Sequence, residues 1–123
     1  MDLAACRGAI AKLVADNPVR FKRGSAQLEH DGVKALGAIA QALKACPGVH
    51  IVAEGHADIE GSADYNQRLS LKRAQVVKDY MIEAGVAADA IETAGFGTTR
   101  PVAPNSMAHT RAKNRRTEIL IRP

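Results

Sequence analysis

The sequence predicts an α+β fold, a two-layer sandwich of one β-sheet covered by helices. Strand-like and helix-like segments alternate along only 123 residues, which suits one domain and a single sheet with its helices. Hydrophobic residues make up 46% and charged residues 24%, a balance that supports a packed core and excludes disorder. Apolar runs last only a few residues, which excludes a bilayer-spanning helix. No apolar signal core follows Met1, so the chain is either made without export or is a piece of an exported protein.

Leu3, Cys6, Ile10 and Leu13 recur at helical spacing, predicting an amphipathic helix over residues 3–15 that Asn17-Pro18 breaks. Val19-Arg20-Phe21 reads as a short strand closed by the polar Lys22-Arg23-Gly24-Ser25. A second helix is expected over 29–45, with Val33, Leu36, Ile39, Ala40 and Leu43 inward and Cys46-Pro47-Gly48 as its stop. Val49 to Glu54 is the clearest strand, and it opens into the loop Gly55-His56-Ala57-Asp58-Ile59-Glu60-Gly61-Ser62. A third helix is expected over 64–84, capped by Asp64 with Gln67 and stopped by Gly85. Ile91 to Ala94 predicts a strand, Gly95 to Pro104 a turn-rich stretch, Met107 to Asn114 a short helix, and Thr117 to Ile121 a last strand.

The net charge of +4 is unevenly placed. Arg100, Arg111, Lys113, Arg115, Arg116 and Arg122 stand against the single Glu118 in the last stretch of chain, while the residues before it are nearly neutral. A basic end suggests an anionic partner: nucleic acid, an acidic polymer, lipid or a small carboxylate. Phe21, Tyr65, Tyr80 and Phe96 form no cluster in sequence that offers bases a stacking platform.

One arginine is out of pattern. With Leu69 at zero and about 100° per residue, Val76, Tyr80 and Val77 define a buried stripe on the third helix, and Arg73 falls inside it with Asn66 beside it. The guanidinium must snorkel to the sheet edge or meet an acceptor. Asp58, in the loop that precedes the helix, is the nearest acceptor in topology. The two form either an internal salt bridge or the walls of a site for a small zwitterion, with Arg73 forking onto a carboxylate and Asp58 accepting from an ammonium.

Gly55-His56-Ala57-Asp58, Tyr65-Asn66, Leu69-Ser70-Leu71-Lys72-Arg73-Ala74, Gly95-Phe96-Gly97 with Pro101, and Asn114-Arg115-Arg116 together resemble the OmpA-like peptidoglycan-binding domain. Val19-Arg20-Phe21 and Gly24 to Leu28 fit its first strand and turn, so the resemblance runs in order from residue 19 to residue 121. It implies a mixed sheet of βαβαβ type, with residues 1–18 as an N-terminal helical extension and 19–123 as the domain. It also implies non-covalent binding of the diaminopimelate residue of the peptidoglycan stem peptide, anchoring the outer membrane or an envelope complex to the wall. The matching ligand positions are Asp58, Arg73, Asn66 and Arg116, with the stretch from Lys22 to Ser25 lining the site. The implied setting is the periplasm, as a fragment without its signal sequence, associated with membrane only through segments outside this chain. Other envelope proteins are further partners that the resemblance allows.

Cys6 and Cys46 read on their own as two buried thiols. Some members of the resembled family carry a cysteine before the first strand and another at a Cys-Pro-Gly-like helix end, and that match implies a disulfide and an oxidising compartment.

Enzymatic readings are weak. His56, Asp58 and Glu60 alternate but lack further metal ligands, and Ser62, His56 and Asp58 lie too close in sequence for a catalytic triad. His56 is expected to shape its loop by hydrogen bonding. Neither paired carboxylates nor a dinucleotide fingerprint stands out, so no enzyme activity, cofactor or metal is expected. Basic nucleic-acid binding and envelope protein interaction remain the alternative functions, although no nucleic-acid partner is expected.

Overall fold

A computed structural model describes residues 2–122. The elements in chain order are α1 (Leu3–Asp16), β1 (Val19–Arg20), α2 (His30–Ala45), β2 (Ile51–Gly55), α3 (Ala63–Glu83), β3 (Ile91–Gly95), α4 (Ala108–Arg111) and β4 (Arg116–Ile121), with short 3-10 turns at Ala88–Ala90 and Ala112–Asn114. The sheet order is β1-β4-β2-β3; β2 and β3 are parallel, and β4 runs antiparallel to both β1 and β2. The α+β sandwich and the mixed sheet are therefore as expected.

Alternation along the strands separates two faces. Ile51 and Ala53 of β2 are buried, as are Val19 and Ile119, and with Phe21 they meet Leu36, Ile39 and Ala40 of α2 and Ala74, Val77 and Met81 of α3. Val52 and Glu54 take the opposite face. Two glycines let α3 lie directly on the sheet. Gly55 and Gly95 pair across β2 and β3, and a Cβ on Gly55 would stand 1.7 Å from the Ser70 carbonyl oxygen. A Cβ on Gly95 would meet Ser70 Oγ at 2.8 Å. Helix and sheet thus touch one turn before Arg73, which fixes where that side chain enters the interior.

Cys6 of α1 and Cys46 at the end of α2 form a disulfide with a Cα–Cα separation of 5.8 Å. Ile10 is buried in the core, so the N-terminal helix packs on the body, with its Cys6 end at the sheet end opposite the Gly55–Ser62 loop.

Several local expectations need correction. Ser62 caps α3 by accepting the Tyr65 amide at 3.1 Å, while Gln67 reaches across to the Gly95 carbonyl. The Asp64–Gln67 cap fails because the helix starts one residue earlier, at Ala63. Val33 is exposed, and Gly32 takes the inward position, where α2 crosses so near β1 that a Cβ would stand 3.2 Å from the Arg20 carbonyl oxygen, a tight contact. The strand expected from Val49 begins at Ile51, and the last strand begins at Arg116.

Candidate functional site

The buried stripe of α3 comprises Asn66, Leu69, Ser70, Arg73, Ala74, Val77 and Met81, rotated from the expected one toward Val77. Arg73 therefore lies well inside it and is only 1% exposed. Its guanidinium meets main-chain oxygens: Nε donates to Ser25 O at 2.9 Å, Nη1 to His56 O at 2.9 Å and Nη2 to Lys22 O at 3.5 Å. The Phe21 ring lies 5.4 Å from its centre. Carbonyl dipoles stabilise the cation without neutralising it, and part of the fork remains free to donate. Burial pulls the guanidinium pKa down to about 10, opposed by the nearby charge of Asp58, so Arg73 stays a cation at neutral pH.

Asp58 is buried in the adjoining loop. Its Oδ1 accepts the Glu60 amide at 2.9 Å and its Oδ2 accepts from Arg115 Nη1 at 3.0 Å. Among the described residues no Asp58–Arg73 ion pair forms within 4.0 Å. Carboxylate and guanidinium are each held by other groups, and neither consumes the other. Asn66 Nδ2 donates to the Glu60 carbonyl at 3.0 Å and so pins this loop to α3.

Arg116 does not join them. Consecutive residues entering a strand point to opposite sides. Arg115 turns inward, with Nε on the Phe21 carbonyl at 3.4 Å and Nη1 on Asp58. Arg116 turns to the other face, where Nη2 donates to Glu118 at 2.5 Å and to the Arg100 carbonyl at 2.9 Å. The arginine that stands beside Asp58 is thus Arg115, not the Arg116 expected there. Inward Phe21 bonds to the Arg115 carbonyl through its amide, and that cross-strand register is what selects Arg115.

The rim joins the loop after β1, the loop after β2, the start of α3 and the end of α4. Arg23 Nε contacts Glu60 Oε1 at 2.9 Å, Arg111 Nε lies 3.7 Å from the same oxygen, and Tyr65 Oη donates to the Gly24 carbonyl at 3.0 Å. Arg111 is held in turn by Nη1 on the Asn105 carbonyl at 3.0 Å. The sequence offered Arg23 only as part of a lining stretch, Arg111 and Arg115 only as part of a basic end, and Glu60 only as a discarded metal ligand; their meeting depends on segments far apart along the chain.

His56 shapes its loop by stacking, not by side-chain hydrogen bonds. It is 1% exposed, lies against Phe96 with centroids 5.5 Å apart, and finds no hydrogen bond for either ring nitrogen among the described residues. The Arg100 guanidinium covers the Phe96 ring at 3.7 Å. Burial and then Arg116 push the imidazole pKa down to about 4, although Glu118 stands 3.4 Å from Nε2. Among the described residues no three His, Cys, Asp or Glu side chains are grouped to hold a metal ion, and no helix is long and apolar enough to cross a membrane.

This architecture, a mixed four-stranded sheet covered by helices, is shared with solved structures. The peptidoglycan-associated lipoprotein of Burkholderia pseudomallei superposes with a TM-score of 0.83 at 30% identity, over 89% of this chain and 93% of that one. The C-terminal domain of Helicobacter pylori MotB gives a TM-score of 0.79 at 28% identity, over 86% of this chain and 84% of that one. The OmpA family model matches residues 20–115, and the chain belongs to the OmpA family. The peptidoglycan-binding protein ArfA of Mycobacterium tuberculosis is 40% identical over 108 residues, 88% of this chain. The chain spans about a third of that relative's length (33%).

Proposed function

We propose that this chain binds peptidoglycan non-covalently through the diaminopimelate residue of the stem peptide, as the wall-anchoring module of a periplasmic envelope protein. Residues 19–123 form the binding domain, and residues 1–18 a helical extension fastened to it by the disulfide. The free D-centre of diaminopimelate presents an ammonium and a carboxylate on one carbon. Asp58 accepts from the ammonium, the unused donors of Arg73 take the carboxylate, Arg115 holds Asp58 in place, and Asn66 holds the loop. The observation that carries this reading is the buried Arg73 bonded to carbonyls beside an Asp58 that it does not neutralise. Such a pair remains available to a zwitterion.

The module is a binder and not an enzyme: the reading requires positioned charges and no nucleophile. The names of the relatives support it, since they include a peptidoglycan-binding protein and a peptidoglycan-associated lipoprotein. Nucleic-acid binding is disfavoured because Arg115, Arg116 and Arg122 are each paired with a carboxylate of this chain, on Asp58, Glu118 and Glu92.

Pull-down by isolated cell wall tests the reading. Asp58→Ala and Arg73→Ala are expected to abolish co-sedimentation, and Asp58→Asn to lower it at least tenfold with an unchanged circular dichroism spectrum. Undiminished binding in the folded Asp58 variants sinks the assignment.

A further inference from the structure

The site carries more positive charge than a zwitterion uses. Arg23, Arg73, Arg111 and Arg115 converge on it, against only Asp58 and Glu60. The D-centre of diaminopimelate brings no net charge, so if the reading above is right, the surplus is left for another anion on the same ligand. Its place is marked by Glu60. Arg23 approaches this carboxylate from the loop after β1 and Arg111 from the end of α4, and Arg111 Nε is buried without a hydrogen-bond partner among the described residues. The Arg23 side chain is 73% exposed and that of Glu60 33%, so their bond is screened by water and weak enough to exchange.

We infer that Arg23 and Arg111 form a second carboxylate subsite, which Glu60 occupies until the ligand displaces it. The ligand group is the free α-carboxylate of the γ-linked D-glutamate that precedes diaminopimelate in the stem. Asp58 and Glu60 are two residues apart, at most about 7 Å between Cα atoms, so one stem peptide spans both positions. Glu60 competes for the subsite when the cleft is empty, and amidation of the glutamate removes the charge that outcompetes it. The chain therefore distinguishes free from amidated stem peptides, a selectivity that Asp58 and Arg73 cannot supply, because the D-centre is the same in both.

Calorimetric titration with two stem tetrapeptides, one carrying D-glutamate and the other D-isoglutamine before diaminopimelate, tests the inference. The expected result is roughly tenfold tighter binding of the carboxylate form. Arg23→Gln and Arg111→Gln are expected to shrink that preference to within about twofold, chiefly by weakening the carboxylate form. Glu60→Gln removes the competitor and is expected to tighten the carboxylate form severalfold, a gain that a merely structural Glu60 would not produce. Equal affinity of the unsubstituted chain for both peptides overturns the second subsite and leaves the diaminopimelate reading standing. Binding of neither peptide overturns that reading and the subsite with it.

Discussion

The two ends of strand β2 are built from different materials. Before Ile51, the chain is held by Cys6–Cys46 and by Ile10, Leu43 and Val49, apolar groups packed around a covalent bridge. Beyond Gly55, the polar groups His56, Asp58, Asn66 and Arg73 are buried, and the last three are held by main-chain groups and by Arg115. Burial of apolar surface stabilises the first end directly, whereas desolvating charge costs free energy that its hydrogen bonds only partly return. Stability is therefore concentrated at one pole and unspent electrostatics at the other. This is an arrangement in which a binding site can be kept charged without the fold depending on it.

The sharpest way to break this comparison is to open the bridge. Closing a loop of 40 residues by a disulfide stabilises a fold by about 4 kcal/mol on the chain-entropy model. The Cys6→Ala/Cys46→Ala variant is expected to lose about that much in denaturant unfolding, yet to hold cell wall with unchanged affinity below its melting temperature. A parallel loss of affinity would show that the poles are not independent.

The next effect is at the charged pole. The folded-state pKa of His56 is depressed to about 4, so the unfolded chain binds the proton first. The stability from keeping the imidazole neutral is complete above the unfolded pKa of about 6.5 and is lost as pH falls toward about 4. The groups facing it are Arg116, Glu118 and Arg100. The expected loss is about 3 kcal/mol across that window, read from unfolding midpoints against pH. His56→Leu should flatten this slope, and a slope that survives the substitution assigns it to other groups.

The smallest effect is at the start of α3. Ser62→Ala removes the cap on the Tyr65 amide and is expected to cost about 1 kcal/mol in thermal unfolding. It should also weaken wall binding slightly, because Ser62 borders the loop that holds Asp58. Unchanged binding would place the rigidity of that loop in Asn66 alone.

Much of the fold was readable because periodicity is local. The three long helices, the central strand and the anomaly at Arg73 all follow from side chains within a few turns of one another. Arg115 was not readable in the same way: whether it or Arg116 turns inward depends on the register of β4 against β1, a long-range fact. The resemblance favoured Arg116, which the register turns to the other face, where it pairs with Glu118. Val33 and Gly32 exchanged places because α2 crosses β1 more closely than helical periodicity can express. The grouping of Arg23, Glu60 and Arg111 was not readable for a related reason: two polar loops and the end of α4 carry no shared pattern until the sheet brings them together.

The disulfide has a mechanical consequence as well. Strand β1 offers only Val19 and Arg20 to the ladder and sits at the sheet edge, the easiest element to peel under tension. Load arriving along α1 does not reach it, because the bridge passes the pull from Cys6 straight to Cys46 and leaves residues 7–45 slack inside the loop. The force then enters the sheet through β2, which is flanked by β3 and β4 over five residue pairs on each side. A module tethered from its N-terminal side thus bears traction on its central strand, and its edge is spared.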